Sequence, residues 1–235
     1  NENKIIKKKL YFDKSHFIIE NTSLISKKIS SKSFGKKSVI LKTNYKDDFW
    51  KQIIFSALKI IKNFFPDIIN IIDNNLDIII PVMSQDDDKS LSSSRNDIDN
   101  LIMVSKVTEK EMSEAIIHEV SHVILNKLNS IKPLSLNDDK FFYSPFRDDP
   151  RHALGLFHAA YSFLNVCIYL NQIYFNEKRL KIWAKYKLSD YLFNALLCSD
   201  ILIKNKSVLT KMGLKTCYDI RKRILIIYDY HKFEI

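Results

Sequence analysis

Residues 118 to 122 read His-Glu-Val-Ser-His. On an α-helix, positions i and i+4 lie on one face, so His118 and His122 turn two imidazoles toward one point. Neutral imidazole nitrogen is a general ligand for zinc, iron and copper. Glu119, next on the turn, is placed to contact a metal-bound water, and so is the candidate catalytic residue. Two histidines do not hold a catalytic metal, so a third protein ligand is expected. The bland alternative is a pair of ordinary core or surface histidines that happen to share a helix face.

The third ligand has few candidates. A metzincin pattern would place a histidine six residues after His122, where Leu128 stands. The first glutamate after Glu119 is Glu177, in the polar stretch FNEKR, a poor position for a ligand. His158, inside GLFHAAYSF, falls on an apolar helix and is far better placed. His152 lies near the start of that helix and reads as solvent-facing or as a cap. The ligand set expected is therefore His118, His122 and His158.

These residues need elements to carry them. Phe49, Ile53, Ile54, Ala57, Leu58, Ile61 and Phe65 recur at helical spacing until Pro66. DIINIIDNNLD predicts a second helix, IIIPVM at 78–83 a short buried strand, and LIMVS at 101–105 another. Between the strands, the Ser- and Asp-rich 84–100 reads as a polar loop. Thr108 and Glu111 form a capping box that opens a helix running to about Leu128. A long connection follows at 129–150, then helices at 151–175, 178–203 and 214–228. Residues 1–46 alternate in pieces and suggest a β-rich arm ahead of a helical core at 47–235. The expectation is one α+β domain, mostly helical with a small sheet, built around a zincin-like metal-binding helix.

The 235 residues, 46% apolar and 12% aromatic, can bury a sizeable core. The net charge of +10 comes mainly from scattered lysines, without an RNA-binding aromatic motif or a zinc-finger pair. That reads as solvated surface rather than a nucleic-acid site, and an acidic peptide is the polyanion it would attract. Cys167, Cys198 and Cys217 are odd in number and widely spaced, which fits reduced thiols. No signal-like apolar start is present, and no uninterrupted apolar run nears the roughly 18 residues of a membrane span. A cytoplasmic protein without a membrane partner is expected; its oligomeric state is open.

Residues 141–166 read FFYSPFRDDPRHALGLFHAAYSFLNV. Following His-Glu-x-x-His at this distance, the stretch resembles the bacterial HEXXH motif-containing peptide modification family. The counterparts are Tyr143, Pro145, Phe146, Arg147, Asp148, Asp149, Pro150 and Arg151, then Phe157, His158, Tyr161 and Phe163. SLSSSRNDIDNLIMVS, PDIINIIDNNLDIIIPV and LTKMGLKT extend the resemblance over roughly residues 47–225. The chain departs from the pattern at Phe146 (Trp in the family), His152 (Pro) and Ala159 (Gly), none of them a proposed ligand.

The resemblance implies modification of a ribosomally made precursor peptide. Some members are described as iron(II)- and 2-oxoglutarate-dependent oxygenases that hydroxylate a β-carbon, and a site with open positions suits that chemistry. Arg147 and Arg151, two of the few arginines, stand four residues apart near His158. A guanidinium binds the distal carboxylate of 2-oxoglutarate as a fork, which lysine does not reproduce. The same arginines, with Asp148 and Asp149, also suit a salt-bridge network at a helix start. Tyr143 and Tyr161 are candidate co-substrate donors, and Ser93 and Ser94 weaker ones. Two other readings stand beside this one: a zinc metallopeptidase with Glu119 as general base, and a metal-stabilised peptide-binding protein without turnover.

Overall fold

The computed structural model describes residues 9–12, 15–19, 47–82, 92–94, 100–105, 108–136 and 139–231. It is α+β: six α-helices and one small sheet among the described residues. Of the expected N-terminal β arm, strands β1 (Lys9–Phe12) and β2 (Ser15–Ile19) are seen, and the rest lies outside the described residues. The chain groups into two compact units, Asn1–Val123 and Ile124–Ile235, the division falling inside one long helix.

The first unit holds the sheet. Strands β3 (Ile78–Pro81), β4 (Ser92–Ser94) and β5 (Leu101–Val104) join β1 and β2 in the order β1-β2-β3-β5-β4. β3 runs parallel to both β2 and β5, while β4 closes the edge antiparallel to β5. Unbroken apolar runs are what strands covered on both faces require, and all four residues of β5 are buried. Asn100 starts β5 with φ of 58°, a conformation that asparagine tolerates. Its carbonyl accepts from the amides of Asp77 and Ile78, and its side-chain amide donates to Asp77 Oδ2 at 2.8 Å. That one residue sets the register of β3 against β5.

Helix α1 (Asp47–Phe64) buries Ile53, Ile54, Ala57, Leu58 and Ile61, the predicted apolar stripe. Pro66 ends it and takes the first turn of α2 (Pro66–Asn75), where its missing N–H costs nothing. Helix α3 (Glu109–Ile131) opens on the predicted capping box: Thr108 Oγ1 donates to Glu111 Oε2 at 2.7 Å and accepts the Glu111 amide at 3.4 Å. Ser113 ties α3 to α1 by donating to the carbonyl of Ala57.

The second unit contains the end of α3 and helices α4 (Ala153–Asn176), α5 (Lys181–Lys204) and α6 (Lys211–His231). Among the described residues, α4 alone is long and apolar enough to cross a membrane, and most of that apolar stretch is buried. Polar residues interrupt it, which is why the sequence shows no continuous apolar run, yet none of them is charged. Cys167, Cys198 and Cys217 are free and buried.

The segment after α3 is pinned to the α5–α6 connection. Thr210 Oγ1 donates to the Pro133 carbonyl at 2.7 Å, the Thr210 amide to Leu134 O, and the Leu136 amide to Val208 O. The chains approach so closely that a Cβ on Gly213 would stand 1.8 Å from Leu134 O, an atom held in place by Thr210. Gly213→Ala should therefore destabilise the protein by about 3 kcal/mol, read as a lower urea midpoint. A Thr210→Ala change, which removes the hydroxyl that accepts the Gly213 amide at 2.9 Å at the start of α6 without adding bulk, should cost only about 1 kcal/mol.

Candidate metal centre

The sequence places His118 and His122 one turn apart, and α3 delivers them as expected. Their Nε2 atoms are 3.0 Å apart, with ring planes at 85°. One ligand atom from each of His118, Glu119 and His122 lies within 4.8 Å of the others. Two nitrogens bound to one ion at about 2.0–2.1 Å and separated by this distance subtend an ordinary ligand angle. The donors thus fit a divalent metal: both imidazoles are half-exposed toward it, and the carboxyl between them is buried.

Glu119 is 3% exposed. Burial raises its pKa from 4.5 to about 7, against the opposing effect of hydrogen bonds from the hydroxyls of Ser92 and Ser94 and from the Ser94 backbone. A carboxyl poised near neutrality can take or give a proton at physiological pH. The rest of α3 seats this group: Ile116, Ile117, Val120 and Leu125 are fully buried, and Ser121 donates back to Ile117 O.

Ser92 and Ser94 are the functional neighbours that sequence reasoning missed or ranked low. Their run, SLSSSRN, reads as loop by composition. An all-serine run shows no alternation of residue type, so the strand, whose i and i+2 side chains face one side, carries no signal in the sequence.

The remaining candidates belong to the second unit. His158 is half-buried on α4, and burial lowers its pKa to about 4, so its imidazole is neutral at pH 7, the form that ligates a metal. Glu177 is spent at the other end of α4, where its side chain accepts the Arg179 amide at 3.0 Å. His152 is the exposed N-cap of α4 by backbone position only; it makes no side-chain cap bond, and its ring lies 3.9 Å from that of Phe141. Tyr161 is half-buried on the same helix, and Tyr143 is 66% exposed.

The R-D-D-P-R block forms a closed loop. Phe142 and Arg151 exchange two backbone hydrogen bonds of 2.8 Å, and Ser144 to Arg147 makes a turn with Pro145 at its second position. Asp149 bridges the two arginines: Arg147 Nε donates to Oδ1 at 3.0 Å, and Arg151 Nε lies 3.1 Å from Oδ2. The Arg147 hydrogen bond first, with the charges of both arginines, holds the Asp149 carboxyl below its usual range. Phe146 stacks on Phe163 at 3.8 Å, which in turn packs on Tyr191. Tyr143, Phe146, Arg147, Asp148, Asp190 and Asn194 help to line an open groove of about 670 Å³.

No protein-family model matches the chain, and no curated protein matches it.

The buried carboxyl has a measurable consequence. In protein stripped of metal by a chelator, the folded pKa of Glu119 (about 7) lies above the ordinary 4.5, so the fold binds this proton more tightly than the unfolded chain does. Its contribution is complete below about pH 4.5 and is lost as pH rises toward 7, on the order of 3 kcal/mol. Urea midpoints of the wild type should fall across that window relative to Glu119→Gln, which carries no such proton. Parallel pH profiles for the two proteins would refute the assignment.

Proposed function

We propose that the protein is an iron(II)- and 2-oxoglutarate-dependent oxygenase that hydroxylates the β-carbon of a residue in a ribosomally made precursor peptide. The supporting observation is the His118–Glu119–His122 donor group with its buried carboxyl, joined by the resemblance of residues 141–166 to peptide-modifying proteins. His118 and His122, with His158 as the third ligand, hold the metal in this reading. Iron(II) with O2 and 2-oxoglutarate supplies the oxidising power: one oxygen atom enters the peptide, the other ends in succinate, and CO2 is released.

The chain's own residues have separate tasks. Arg147 gives its Nε to Asp149, and its two terminal nitrogens have no hydrogen-bond partner among the described residues. Those nitrogens supply the fork for the distal carboxylate of the oxoacid. Tyr143, on the same groove, is a second donor, and Tyr161 and Arg151 are the further co-substrate contacts of this reading. Asp148 and Asp190 on that groove repel a second anionic group, so the groove suits one carboxylate held close to Arg147. The scattered positive charge suits an acidic precursor peptide, and a cytoplasmic location goes with reduced thiols.

One observation favours a second reading, a zinc metallopeptidase. Glu119, with a pKa near 7, is tuned as the general base that takes a proton from the attacking water.

Protein purified without oxygen and loaded with iron(II) should form succinate from 2-oxoglutarate and add one oxygen to the peptide by mass spectrometry. His158→Ala should lose most bound metal. Arg147→Lys should keep its metal but require more oxoacid, by about 2 kcal/mol of affinity. Metal-dependent cleavage without 2-oxoglutarate, abolished in Glu119→Gln, would replace this reading with the peptidase.

A further inference from the structure

Strand β4 is only three residues long, stands at the sheet edge and is entirely serine. Side chains of a strand alternate between faces. Ser92 and Ser94 share the face toward α3, and both hydroxyls donate to Glu119; Ser93 turns away and donates to the Ser94 carbonyl at 3.0 Å. The Ser94 backbone adds a third hydrogen bond to the same carboxyl. Thus one strand directs three donors at one buried group on the metal helix.

A carboxylate offers about four lone-pair sites. Three are occupied on the β4 side, which leaves about one for the side of His118 and His122. A carboxylate so held cannot turn its full valence on a metal ion, although an oxygen lies within 4.8 Å of the imidazole nitrogens. We propose that Ser92 and Ser94 are positioning residues: they anchor the Glu119 carboxylate to β4, keep it from chelating the ion through both oxygens, and thereby keep a coordination position open beside the two histidines. The proposal rests on the metal reading of the site and holds for the oxygenase and the peptidase alike, because each needs an open position and a fixed acceptor next to it.

The fold supports this division of labour. β4 is paired to β5, whose four residues are all buried, so the anchor is tied by its ladder to the buried part of the sheet. Glu119 is fixed by its helix, which Ser113 ties to α1 and whose Ile116, Ile117 and Val120 are fully buried. Donors and acceptor are each set by packing rather than by each other. Their register is therefore prepared before any metal binds.

Two measurements test it. In metal-free protein, Ser94→Ala and Glu119→Gln should be non-additive in urea midpoint, the double variant losing little more than the worse single one. Cobalt(II) serves as the spectroscopic probe. Ser92→Ala/Ser94→Ala should shift the visible cobalt spectrum, because the released carboxylate takes a coordination position. Ser92→Thr/Ser94→Thr, which keeps both hydroxyls, should restore the wild-type spectrum. Additive midpoints, or an unchanged cobalt spectrum in the double alanine variant, would overturn the proposal. Failure of the wild type itself to bind cobalt would instead remove the metal reading, while the metal-free cycle still decides whether the serines hold Glu119.

Discussion

A carboxyl group buried between a helix and a sheet edge is the constraint around which the first unit is organised. Taking Glu119 out of water penalises its charged form strongly, and a protein can meet that cost with hydrogen bonds, a nearby cation or a proton. Here β4 supplies hydrogen bonds and the two imidazoles stand ready for a cation. The proton is what remains when the cation is absent, because burial outweighs the hydrogen bonds from β4 and raises the pKa to about 7. The buried strands β3 and β5, the Asn100 turn and the capped start of α3 all serve to bring β4 and Glu119 to the same place.

The second unit handles charge by another means. Its arginines lie at the surface, where isolated ion pairs contribute little to stability. The RDDPR loop gains its order from a backbone bridge, a proline turn and the stacking of Phe146 on Phe163. Asp149 orients the two guanidiniums, leaving that of Arg147 largely exposed and that of Arg151 half-buried. An arrangement that spends so little on stability while orienting two guanidiniums suits recognition of a carboxylate, as in the role proposed for Arg147. The stack shows that this position is served by a flat aromatic face.

Much was legible from the sequence because it is local. The His-Glu-x-x-His spacing follows from 3.6 residues per turn, and the Thr108–Glu111 box from the unpaired amides of a first helical turn. The stripes of α1 and α4 and the buried runs of β3 and β5 needed only periodicity. Helix ends shifted by two or three residues, as at Ile131 and Lys211, since capping and packing rather than propensity decide them.

Other features were decided by tertiary structure. Three serines in a polar stretch carry no apolar pattern, so β4 exists because β5 offers it a ladder. The environment of Glu119 depends on residues some 25 positions upstream, and the contact of Gly213 with Leu134 on residues far apart in the chain. Sequence alone determined which side chains could hold a metal. The three-dimensional packing determined that the carboxyl between them is dry, held by a neighbouring strand and shifted toward neutrality, because solvent exclusion and long-range donors are properties of the folded chain.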